Sequence, residues 1–462
     1  MSLIRKVLET QKKLSKVNGD FLEFVEKNPG ALKASNFKLM DLNDQLFALQ
    51  PWPTFVNQVT RNEFQEAGVK LFELIKKIPQ RIFDFDIKRI SDYYEIPGDL
   101  AKQQLEGVTD EHLRNLVARG DFILSTSGLK CLEYNVTANL GGWYVPVWEN
   151  LYLMTPIIAE FMTKYTVDIR NKNLIQQLLE HIIETTSSGM TGNDREINIV
   201  LVTNFFAQYE NSMGRYLDNL YKQSLLKQNP PLKGGIFICD YHHLEKIDDY
   251  IYYRDKKIHA AIEMYNGSVS LPVREVFKAG NIKIINGPVT DLLSSKLNLA
   301  LLSTYGTANN NIFNDEEKRI IEKYVPWSRK IINGSTNYGT ETVKLENFIL
   351  TNKDKLVLKP SSGYGGSGVY IGQRIPETQW EELIKTAFHQ KNWLIQEFVD
   401  SSPGLYQAGE NGCDLHDMVW GFFVLGSQYA GAWVRVLPQK ANKGVINCHQ
   451  GATVSIIFEV PG

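Results

Sequence analysis

LVLKPSSGYGGSGVYIG, from Leu356 to Gly372, carries a lysine at the end of one apolar run, passes through a glycine-rich turn and leaves as a second apolar run. A lysine held on a strand presents a positive charge that can meet phosphate oxygens. The glycines permit positive φ and let backbone N–H groups approach an anion without a Cβ in the way. The segment predicts a phosphate clamp between two strands, with these candidate contacts: Lys359, Ser362, Gly365, Gly366 and Gly368.

Better-known glycine motifs do not account for this segment. Gly363, Gly365 and Gly368 satisfy G-x-G-x-x-G, but a dinucleotide-binding site needs a helix after the last glycine, and residues 369–371 have strand character. A P-loop would end in Gly-Lys-Ser/Thr, and in protein kinases the lysine follows the glycine loop instead of preceding it. The alternatives left open are a loop that closes over nucleotide phosphates and a glycine-rich hairpin with no ligand.

Oxygen-bearing side chains follow one another in a second segment, residues 119–143. Glu133 and Asn135 are two positions apart on a predicted strand, so both side chains emerge on the same face. A carboxylate and an amide oxygen are hard ligands of the kind that hold Mg²⁺ against substrate phosphates. The alternative is a polar face of a hairpin that contacts only solvent.

The register of this hairpin determines whether Asp121 joins the pair. With a three-residue turn and Gly128 in the left-handed region, Ser125 pairs with Leu129 and Asp121 falls opposite Glu133. Two carboxylates so close repel each other, and a divalent ion removes that conflict. A four-residue turn would send Asp121 to the other face. The predicted metal ligands are Asp121, Glu133 and Asn135.

Composition limits the class of protein. The 462 residues predict two to four domains, and 43% hydrophobic with 22% charged residues is typical of a soluble globular protein. A net charge of -2 argues against a nucleic-acid partner, because phosphate contacts need an excess of Lys and Arg. The four cysteines lack C-x-x-C spacing, so neither a zinc site nor a disulfide framework is predicted. Without a signal-peptide pattern or a membrane-spanning apolar stretch, a cytoplasmic location is expected.

The chain changes character along its length. Apolar residues at helical spacing predict a mainly helical region up to residue 118. From about 196 to 290, apolar strands alternate with amphipathic helices, which predicts a small parallel α/β unit. Ligands of such units gather at the carboxyl ends of strands, here near Asn204, Asp240 and Asn286, although these residues are equally typical of turns.

Together, the lysine-glycine loop and the Asp…Glu-x-Asn hairpin resemble the ATP-grasp enzymes, where the first covers the ATP phosphates and the second holds magnesium. The usual order of the two parts is reversed here, as in the circularly permuted ATP-grasp proteins, whose relatives include the glutathionylspermidine-synthase group. NWLIQEFVD resembles the family's hinge strand, and the residues implied to meet adenine are Gln396, Glu397, Phe398 and Val399. YAGAWVRVL and GVINCHQGA are similar to strands that deliver an arginine and an asparagine toward the transferring phosphate, here Arg435 and Asn447.

The resemblance implies a fold of mixed α+β and α/β class. The expected architecture is a circularly permuted ATP-grasp with a Rossmann-like pre-ATP-grasp α/β domain and a helical N-terminal region. The expected divisions are a helical region at 1–118, the metal-binding hairpin with helices at 119–190, the pre-ATP-grasp domain with a connector at 191–325, and the nucleotide-binding part at 326–462.

The implied function is that of an ATP-dependent carboxylate–amine (C–N) ligase, which forms an amide or peptide bond through an acyl phosphate. It would use ATP and Mg²⁺, with Mn²⁺ as an alternative, and small amino-acid-like or peptide-like substrates, with no nucleic-acid or membrane partner and a homodimer left open. An ATP-dependent phosphotransferase and a non-catalytic nucleotide-binding protein are the competing hypotheses.

A second phosphate-binding cation is also implied upstream of the loop. Arg329, Lys330 and Lys344 are the candidates, and Arg329 is predicted to be catalytic together with Arg435 and Asn447. Further residues that a substrate pocket could use, or that could equally be packing residues, are Trp143, Tyr144, Arg254, His259, Lys296, Asn298 and Trp327.

Overall fold

The computed structural model describes most of the chain, with short gaps. The described residues are 3–28, 30, 32, 48–140, 142–188, 195–203, 213–264, 269–308, 310–363, 365–409, 412–441 and 444–462. Within these ranges, no helix is both long and apolar enough to cross a membrane.

Helices occur along the whole described chain, and a π-helical turn, Glu66–Lys70, joins the third to the fourth. In chain order the α-helices are α1 (Leu3–Leu14), α2 (Lys16–Lys27), α3 (Gln58–Gln65), α4 (Leu71–Lys76), α5 (Ile78–Arg81), α6 (Ile87–Tyr94), α7 (Gly98–Leu105), α8 (Asp110–Asn115), α9 (Val145–Met154), α10 (Pro156–Lys164), α11 (Leu174–Ser187), α12 (Met213–Leu226), α13 (Leu271–Lys278), α14 (Thr290–Ser294), α15 (Leu297–Gly306), α16 (Asp315–Tyr324), α17 (Leu345–Thr351) and α18 (Glu377–Gln390).

The strands lie mainly after residue 195 and in one early hairpin. In chain order they are β1 (Thr54–Val56), β2 (Val117–Ser125), β3 (Gly128–Asn135), β4 (Ile199–Val202), β5 (Ile236–Cys239), β6 (Leu244–Ile247), β7 (Tyr250–Tyr253), β8 (Lys256–Ile258), β9 (Ala260–Glu263), β10 (Lys283–Ile285), β11 (Ser328–Lys330), β12 (Ser335–Tyr338), β13 (Glu341–Lys344), β14 (Leu356–Pro360), β15 (Tyr370–Ile371), β16 (Trp393–Glu397), β17 (Gly404–Ala408), β18 (Gly412–Leu425), β19 (Gln428–Pro438) and β20 (Thr453–Glu459).

The largest sheet, which we call the central sheet, joins strands from distant parts of the chain. Its order is β1, β20, β19, β18, β2 and β3, and β17 also pairs with β18. β1 runs parallel to β20, and the other pairs are antiparallel. The early hairpin of β2 and β3 therefore extends a sheet whose other long strands come from the end of the sequence.

Helices cover both faces of the central sheet, which is why β18 and β19 are apolar along most of their length. Phe64 of α3 stacks on Phe422 with 4.4 Å between ring centroids. Trp148 of α9 stacks on Trp433 at 6.2 Å. Trp433 lies opposite Gly421, the neighbour of Phe422 in the strand, so the two stacks are on opposite faces of the sheet.

A smaller antiparallel sheet, the clamp sheet, carries the glycine-rich segment in the order β11, β16, β14 and β15. Because β14 and β15 are neighbours that flank the turn, the predicted arrangement of two strands around the glycines is confirmed. Leu358 and Ile395 pack with Trp380 of α18 in one apolar cluster. Lys359 follows Leu358 in the strand and therefore faces the opposite side of the sheet.

The predicted parallel α/β unit is also present. β10, β9, β4 and β5 form a parallel sheet in that order. A three-stranded antiparallel meander of β6, β7 and β8 interrupts the unit and was not predicted. Its two turns contain Asp248 and Arg254, which have φ of 51° and 56°. Positive φ is usually predicted from glycine, and neither turn has a glycine at this position, so the sequence did not indicate them.

Candidate functional site

The early hairpin places Asp121 directly opposite Glu133, as predicted, but by a different register. Ser125 pairs with Gly128, so the turn has two residues and not the predicted three. A β-bulge at Leu132 then inserts one extra residue and restores the Asp121–Glu133 pair. Gly128 has a φ of 97°, in agreement with the expected left-handed conformation.

Asp121 is 1% exposed and lies between two arginines. Arg119, two positions earlier on the same face of β2, reaches it with Nε to Oδ1 at 2.8 Å and Nη2 to Oδ2 at 3.1 Å. Arg435 of β19 brings Nη2 to 2.8 Å from Oδ2, and Asn135 donates to the same oxygen at 3.1 Å. Burial raises the pKa of the Asp121 carboxyl, but Arg119 and Arg435 more than offset this, so its pKa is lowered.

Glu133 is paired with Lys296, which stands just before α15. The Lys296 Nζ lies 2.9 Å from Oε2 of Glu133 and donates to the carbonyl of Gly363 at 3.0 Å. The backbone N–H of Lys296 also donates to the carbonyl of Ser361 at 2.8 Å. Burial raises the pKa of the Glu133 carboxyl, but the nearby Lys296 ammonium lowers it. The net effect is a lowered pKa. Lys296 therefore connects the hairpin to the glycine loop.

Lys359 is 6% exposed and donates from Nζ to Oε1 of Gln396 at 2.6 Å. Gln396 is held in turn by donating from Nε2 to the Ser328 hydroxyl at 3.0 Å. Burial lowers the pKa of Lys359 to about 8, against the opposing effect of the nearby Glu133 carboxylate. A lysine desolvated in this way gains stabilisation when an anion approaches it.

The glycine loop adopts the conformation that its sequence predicts and packs closely over the site. Gly365, Gly366 and Gly368 have φ of 70°, 76° and 72°. A Cβ on Gly366 would lie 2.3 Å from Cγ1 of Val445, and one on Gly365 would lie 3.2 Å from Cδ2 of His449. The loop therefore needs glycine for both its backbone angles and its contact with residues 445–449.

One cleft brings most of these groups together. It encloses about 710 Å³ of non-protein space including its mouth, within the range of small-molecule sites. Of the predicted site residues, those that line it are Asp121, Glu133, Lys359, Gly366, Gln396, Glu397, Phe398, Val399, Arg435 and Asn447. Lys296 lines it as well.

The predicted adenine segment lies in this cleft, but part of its backbone is already engaged. The N–H of Glu397 donates to the carbonyl of Trp327 at 2.8 Å, and that of Phe398 donates to the carbonyl of Lys355 at 2.7 Å. These two donors are not available to a base. Val399 follows them along the cleft wall, and within the described residues its N–H has no hydrogen-bond acceptor.

Arg435 and Asn447 meet the cleft from the central sheet and from the segment before β20. The Nε of Arg435 is buried without a hydrogen-bond partner in the described part of the chain. The Asn447 side chain accepts from the N–H of His449 at 3.0 Å and so caps a short 3₁₀ turn. Arg435 thus lines the cleft while it pairs with Asp121, whereas Asn447 also has a local structural role.

A larger second cavity adjoins the cleft and encloses about 1920 Å³ including its open mouth. Lys296 lines both spaces. Asn135 and Ser362 line the second cavity and not the cleft, although both were predicted to act with the phosphate-binding residues. The candidate site is therefore two adjacent spaces that meet at Lys296.

The structure argues against the three upstream cations as ligands of the cleft. Arg329 donates to Thr336, to Ser303 and to two backbone carbonyls, and it does not line the cleft. Lys330 donates to the carbonyl of Tyr93 and pairs with Glu95, and Lys344 is exposed on β13. The catalytic role predicted for Arg329 stays a prediction, and Lys296 is a cation that lines the cleft in addition to Lys359 and Arg435.

The other suggested pocket residues have structural partners. Asn298 accepts from the Tyr94 hydroxyl at 2.6 Å and donates to two carbonyls of α14, and Arg254 is exposed in a turn of the meander. The remaining suggested residues also make contacts within the protein. The indole N–H groups of Trp143 and Trp327 donate to backbone carbonyls. Tyr144 stacks on Trp148, and His259 accepts a hydrogen bond from a backbone N–H.

The polar residues expected at the strand ends of the α/β unit behave mostly as turn formers and clamps. Asp240 accepts from the N–H of His242 at 3.0 Å. Asn286 exchanges two hydrogen bonds with the backbone of Val117, both at 2.7 Å, and so fixes the start of β2. Asn204 lies outside the described residues.

Sequence interpretation missed Arg119 altogether and named Lys296 only among several pocket residues. The signal for Arg119 was present, because residues two apart on a strand share a face and Arg119 precedes Asp121 by two. Around the two carboxylates, four cations now assemble: Arg119, Lys296, Lys359 and Arg435. The excess of positive charge suits a polyanionic ligand.

These cations weaken the argument that the two carboxylates require a metal ion. The repulsion between Asp121 and Glu133 is relieved by arginine and lysine side chains, so it does not by itself require a divalent ion. Among the described residues, no three His, Cys, Asp or Glu side chains are grouped to hold a metal. The donor chemistry still fits Mg²⁺, because carboxylates and the Asn135 amide supply hard oxygens that a ligand's phosphates would complete.

Comparison with known proteins adds no assignment. Protein-family models give no match to this chain, and no curated protein matches it.

The pKa of Lys359 predicts a pH dependence for anion binding at this site. Because that pKa is about 8, Lys359 loses its charge in the empty cleft as the pH rises through 8. We expect the affinity for a nucleotide to be flat below this pH and to fall by up to about tenfold per pH unit above it. Lys359→Arg should abolish the dependence, since arginine stays charged. Titration calorimetry between pH 6.5 and 9.5 measures it, and an identical pH profile for wild type and variant would contradict it.

Proposed function

We propose that this protein is an ATP-dependent carboxylate–amine ligase. ATP transfers its γ-phosphoryl group to a substrate carboxylate, releasing ADP, and an amine attacks the acyl phosphate to form an amide and release phosphate. The observation that carries the proposal is the charge arrangement at the cleft, where Lys296, Lys359 and Arg435 line the wall with two carboxylates under a glycine loop, and Arg119 pairs with one of these carboxylates. A triphosphate supplies the negative charge that this arrangement lacks.

The three cations that line the cleft each have a place in such a reaction. Lys359 is fixed by Gln396 on the clamp sheet and would bind phosphate oxygens from below the loop. Arg435 lines the cleft beside Asp121, and its positive charge would stabilise charge on the transferring group. Lys296, at the boundary of the two spaces, would orient the carboxylate that receives the phosphoryl group.

The base of ATP would lie along the segment after β16. Val399 N–H, together with carbonyl oxygens of the same segment, supplies the hydrogen-bonding groups, since the N–H groups of Glu397 and Phe398 are used within the protein. Ile123, Val357 and Ile371 give the cleft apolar walls at which a flat ring can be desolvated.

A magnesium ion would be held by Glu133 and Asn135 with Asp121. When bound, such an ion would supply positive charge that offsets the negative charge of the phosphates. Lys296 and Arg435, which pair with Glu133 and Asp121, keep these two carboxylates ionised and oriented whether or not the ion is bound.

The strand pairing supports treating the two segments as one site. The metal hairpin and the strand that carries Arg435 belong to one sheet, although they are some three hundred residues apart in the chain, because β2 pairs directly with β18 and β18 pairs with β19. A cytoplasmic location and a homodimer stay predictions.

The decisive experiment measures ADP release with and without an amine. The full chain is incubated with ATP, Mg²⁺ and individual amino acids as carboxylates, with hydroxylamine as a small amine that converts an acyl phosphate into a hydroxamate. We expect ADP, phosphate and hydroxamate in equal amounts, and only when carboxylate and amine are both present. Transfer of phosphate to a stable acceptor without any amine would favour a phosphotransferase. Tight nucleotide binding with no ADP release from any pair would favour a non-catalytic protein.

Glu133→Gln tests the metal ligands. Because this change removes one carboxylate charge while keeping the size of the side chain, we expect the Mg²⁺ concentration that gives half-maximal ADP release to rise by at least about tenfold. Glu397→Gln makes the same change at a carboxylate of the cleft that is not a predicted metal ligand, and it should leave the Mg²⁺ requirement near wild type. An unchanged Mg²⁺ requirement in Glu133→Gln would remove Glu133 from the metal site.

A further inference from the structure

Gln396 is a neutral side chain buried among the charged groups of the cleft. It is 1% exposed and lies on β16, the strand of the clamp sheet between β11 and β14. Its backbone is opposite Ser328 on one side and Val357 on the other. Because buried side-chain amides are nearly always hydrogen-bonded, the partners of this amide indicate what the residue does.

The direction of the hydrogen bonds fixes how the Gln396 amide points. The Ser328 hydroxyl donates its single hydrogen to the carbonyl of Pro326 at 2.9 Å, so toward Gln396 it acts as an acceptor. It receives Nε2 of Gln396 at 3.0 Å. The amide oxygen is thereby turned the other way, where it accepts from Nζ of Lys359 at 2.6 Å. The reverse orientation would place the amide donors against the donors of the lysine.

Lys359 differs in its partners from the other two cations that line the cleft. Arg435 and Lys296 each pair with a carboxylate. Within the described residues Lys359 forms no ion pair, because its Nζ donates to the Gln396 amide and, at 3.4 Å, to the carbonyl of Leu132. Both acceptors are neutral. Lys359 is therefore held in place without an ion pair that would cancel its charge.

An amide at this position has an energetic advantage over the alternatives. A carboxylate would bind Lys359 more strongly, but it would neutralise the lysine and repel a phosphate. An apolar side chain would leave the buried ammonium without this acceptor, which is costly. Glutamine avoids both effects, because it accepts a hydrogen bond and carries no charge. Gln396 thus suits a lysine whose charge serves an anionic ligand.

We propose that Gln396 is a positioning residue of the phosphate site, which holds the Lys359 ammonium toward the phosphates of the ligand and takes no part in recognising the base. This role rests on the proposed function, because it treats the ligand as a nucleotide. Gln396 thereby moves from the residues expected to meet adenine to those that serve the phosphates. Recognition of the base is left to the backbone after β16 and to the apolar walls of the cleft.

Two ligands that share a triphosphate distinguish these roles. They are a non-hydrolysable ATP analogue and inorganic tripolyphosphate, which has no base. Titration calorimetry of the full chain in excess Mg²⁺ measures both affinities. Gln396→Met keeps the length of the side chain but removes the acceptor, so we expect it to weaken both ligands by the same factor of about tenfold. A loss confined to the ATP analogue would make Gln396 a contact of the base and overturn the proposal.

The charge state of Lys359 provides a readout that a purely structural role would not change. Burial lowers the pKa of Lys359 to about 8. The new carboxylate of Gln396→Glu should raise this pKa, and loss of the acceptor in Gln396→Met should lower it further. The other groups that influence Lys359 are Glu133, Lys296 and Cys131, and neither variant alters them.

NMR titration of the ligand-free protein, labelled with ¹³C at the lysine Cε atoms, measures these pKa changes. The signal that is missing from Lys359→Arg is that of Lys359. Opposite shifts in Gln396→Glu and Gln396→Met are the expected result. Shifts in the same direction, or no shift in either variant, would contradict the proposed contact.

Ser328→Ala tests the support of the amide and keeps the test valid if the Gln396 variants do not fold. Without the hydroxyl the Gln396 amide is free to rotate, so both ligands should bind about threefold to tenfold more weakly. Wild-type affinity in this variant would mean that the amide orientation does not matter for binding. Gln379→Glu is the control, because Gln379 is exposed on α18, and it should bind both ligands as wild type does.

The outcomes separate this proposal from the proposed function. If wild type binds the ATP analogue and the Gln396 variants bind it equally well, the positioning role is refuted and the ligase proposal stands. If wild type binds neither ligand, while the Lys359 signal shifts in opposite directions in the two Gln396 variants, the contact with Lys359 stands and the proposed nucleotide site fails.

Discussion

Lys359→Ala should weaken the binding of ATP and its analogues by about 10- to 150-fold. The estimate follows from a hydrogen bond to a charged group, which contributes about 1.5–3 kcal/mol. Lys359 is the one cation of the clamp sheet that faces the cleft, among the clamp-sheet residues that the structure describes, and Gln396 fixes its Nζ there at 2.6 Å. The variant should fold normally, because burial disfavours the charged lysine in the ligand-free protein.

Calorimetry with an ATP analogue and Mg²⁺ measures this loss, and circular dichroism checks the fold. Lys344→Ala is the matched control, since Lys344 is a lysine of the same region that is exposed on β13 and does not line the cleft. It should bind as wild type does. If Lys359→Ala retained wild-type affinity, the phosphate clamp would have to be assigned elsewhere.

The glycine loop and the lysine before it could be predicted because their properties are local. A positive φ is a property of the backbone at one residue, and the side of a strand on which Lys359 emerges follows from alternation with its neighbour Leu358. The same reasoning put Glu133 and Asn135 on one strand of a hairpin. These parts of the candidate site needed no knowledge of distant contacts.

The predicted pairing of Asp121 with Glu133 is present in the structure, but it arises through a β-bulge that the sequence could not predict. Ser125 pairs with Gly128, one residue away from the expected pair, and the bulge at Leu132 compensates for this shift. A bulge depends on how the neighbouring strands and side chains pack, so its place is decided by tertiary structure. Two departures from the predicted geometry cancelled each other.

Lys296 was not singled out as a cation of the cleft because proximity in sequence was taken as a guide to proximity in space. Arg329 is on the clamp sheet, only thirty positions before Lys359, yet its guanidinium is tied to Ser303 and Thr336. Lys296 reaches the cleft from the connector because α15 packs against β11 and brings its own start beside Glu133. Such a contact arises from the packing of α15, which spacing along the chain does not indicate.

Asp121→Asn should lower the free energy of unfolding by about 3–5 kcal/mol, the range found when one partner of a buried ion pair is removed. Asn keeps the size of the side chain but leaves Arg119 and Arg435 without their counter-charge, and these arginines are only 13% and 7% exposed. The penalty should depend on pH. The lowered pKa of Asp121 means that its stabilisation is present above the unfolded-state pKa of about 3.9 and is lost as pH falls through the lower folded-state value.

Urea unfolding of wild type and variant at pH 7.5 and at pH 3 measures the difference, which should be smaller at pH 3 than at pH 7.5. Asp92→Asn is the control, because its ion pair with Lys88 is on the surface and its loss should leave the midpoint unchanged. An added anion distinguishes a site from a purely structural pair: inorganic phosphate or an ATP analogue should restore part of the stability of Asp121→Asn by supplying negative charge to both arginines. Destabilisation that no anion relieves would mean that Arg119 and Arg435 serve the fold alone, and the phosphate site would then rest on Lys296 and Lys359.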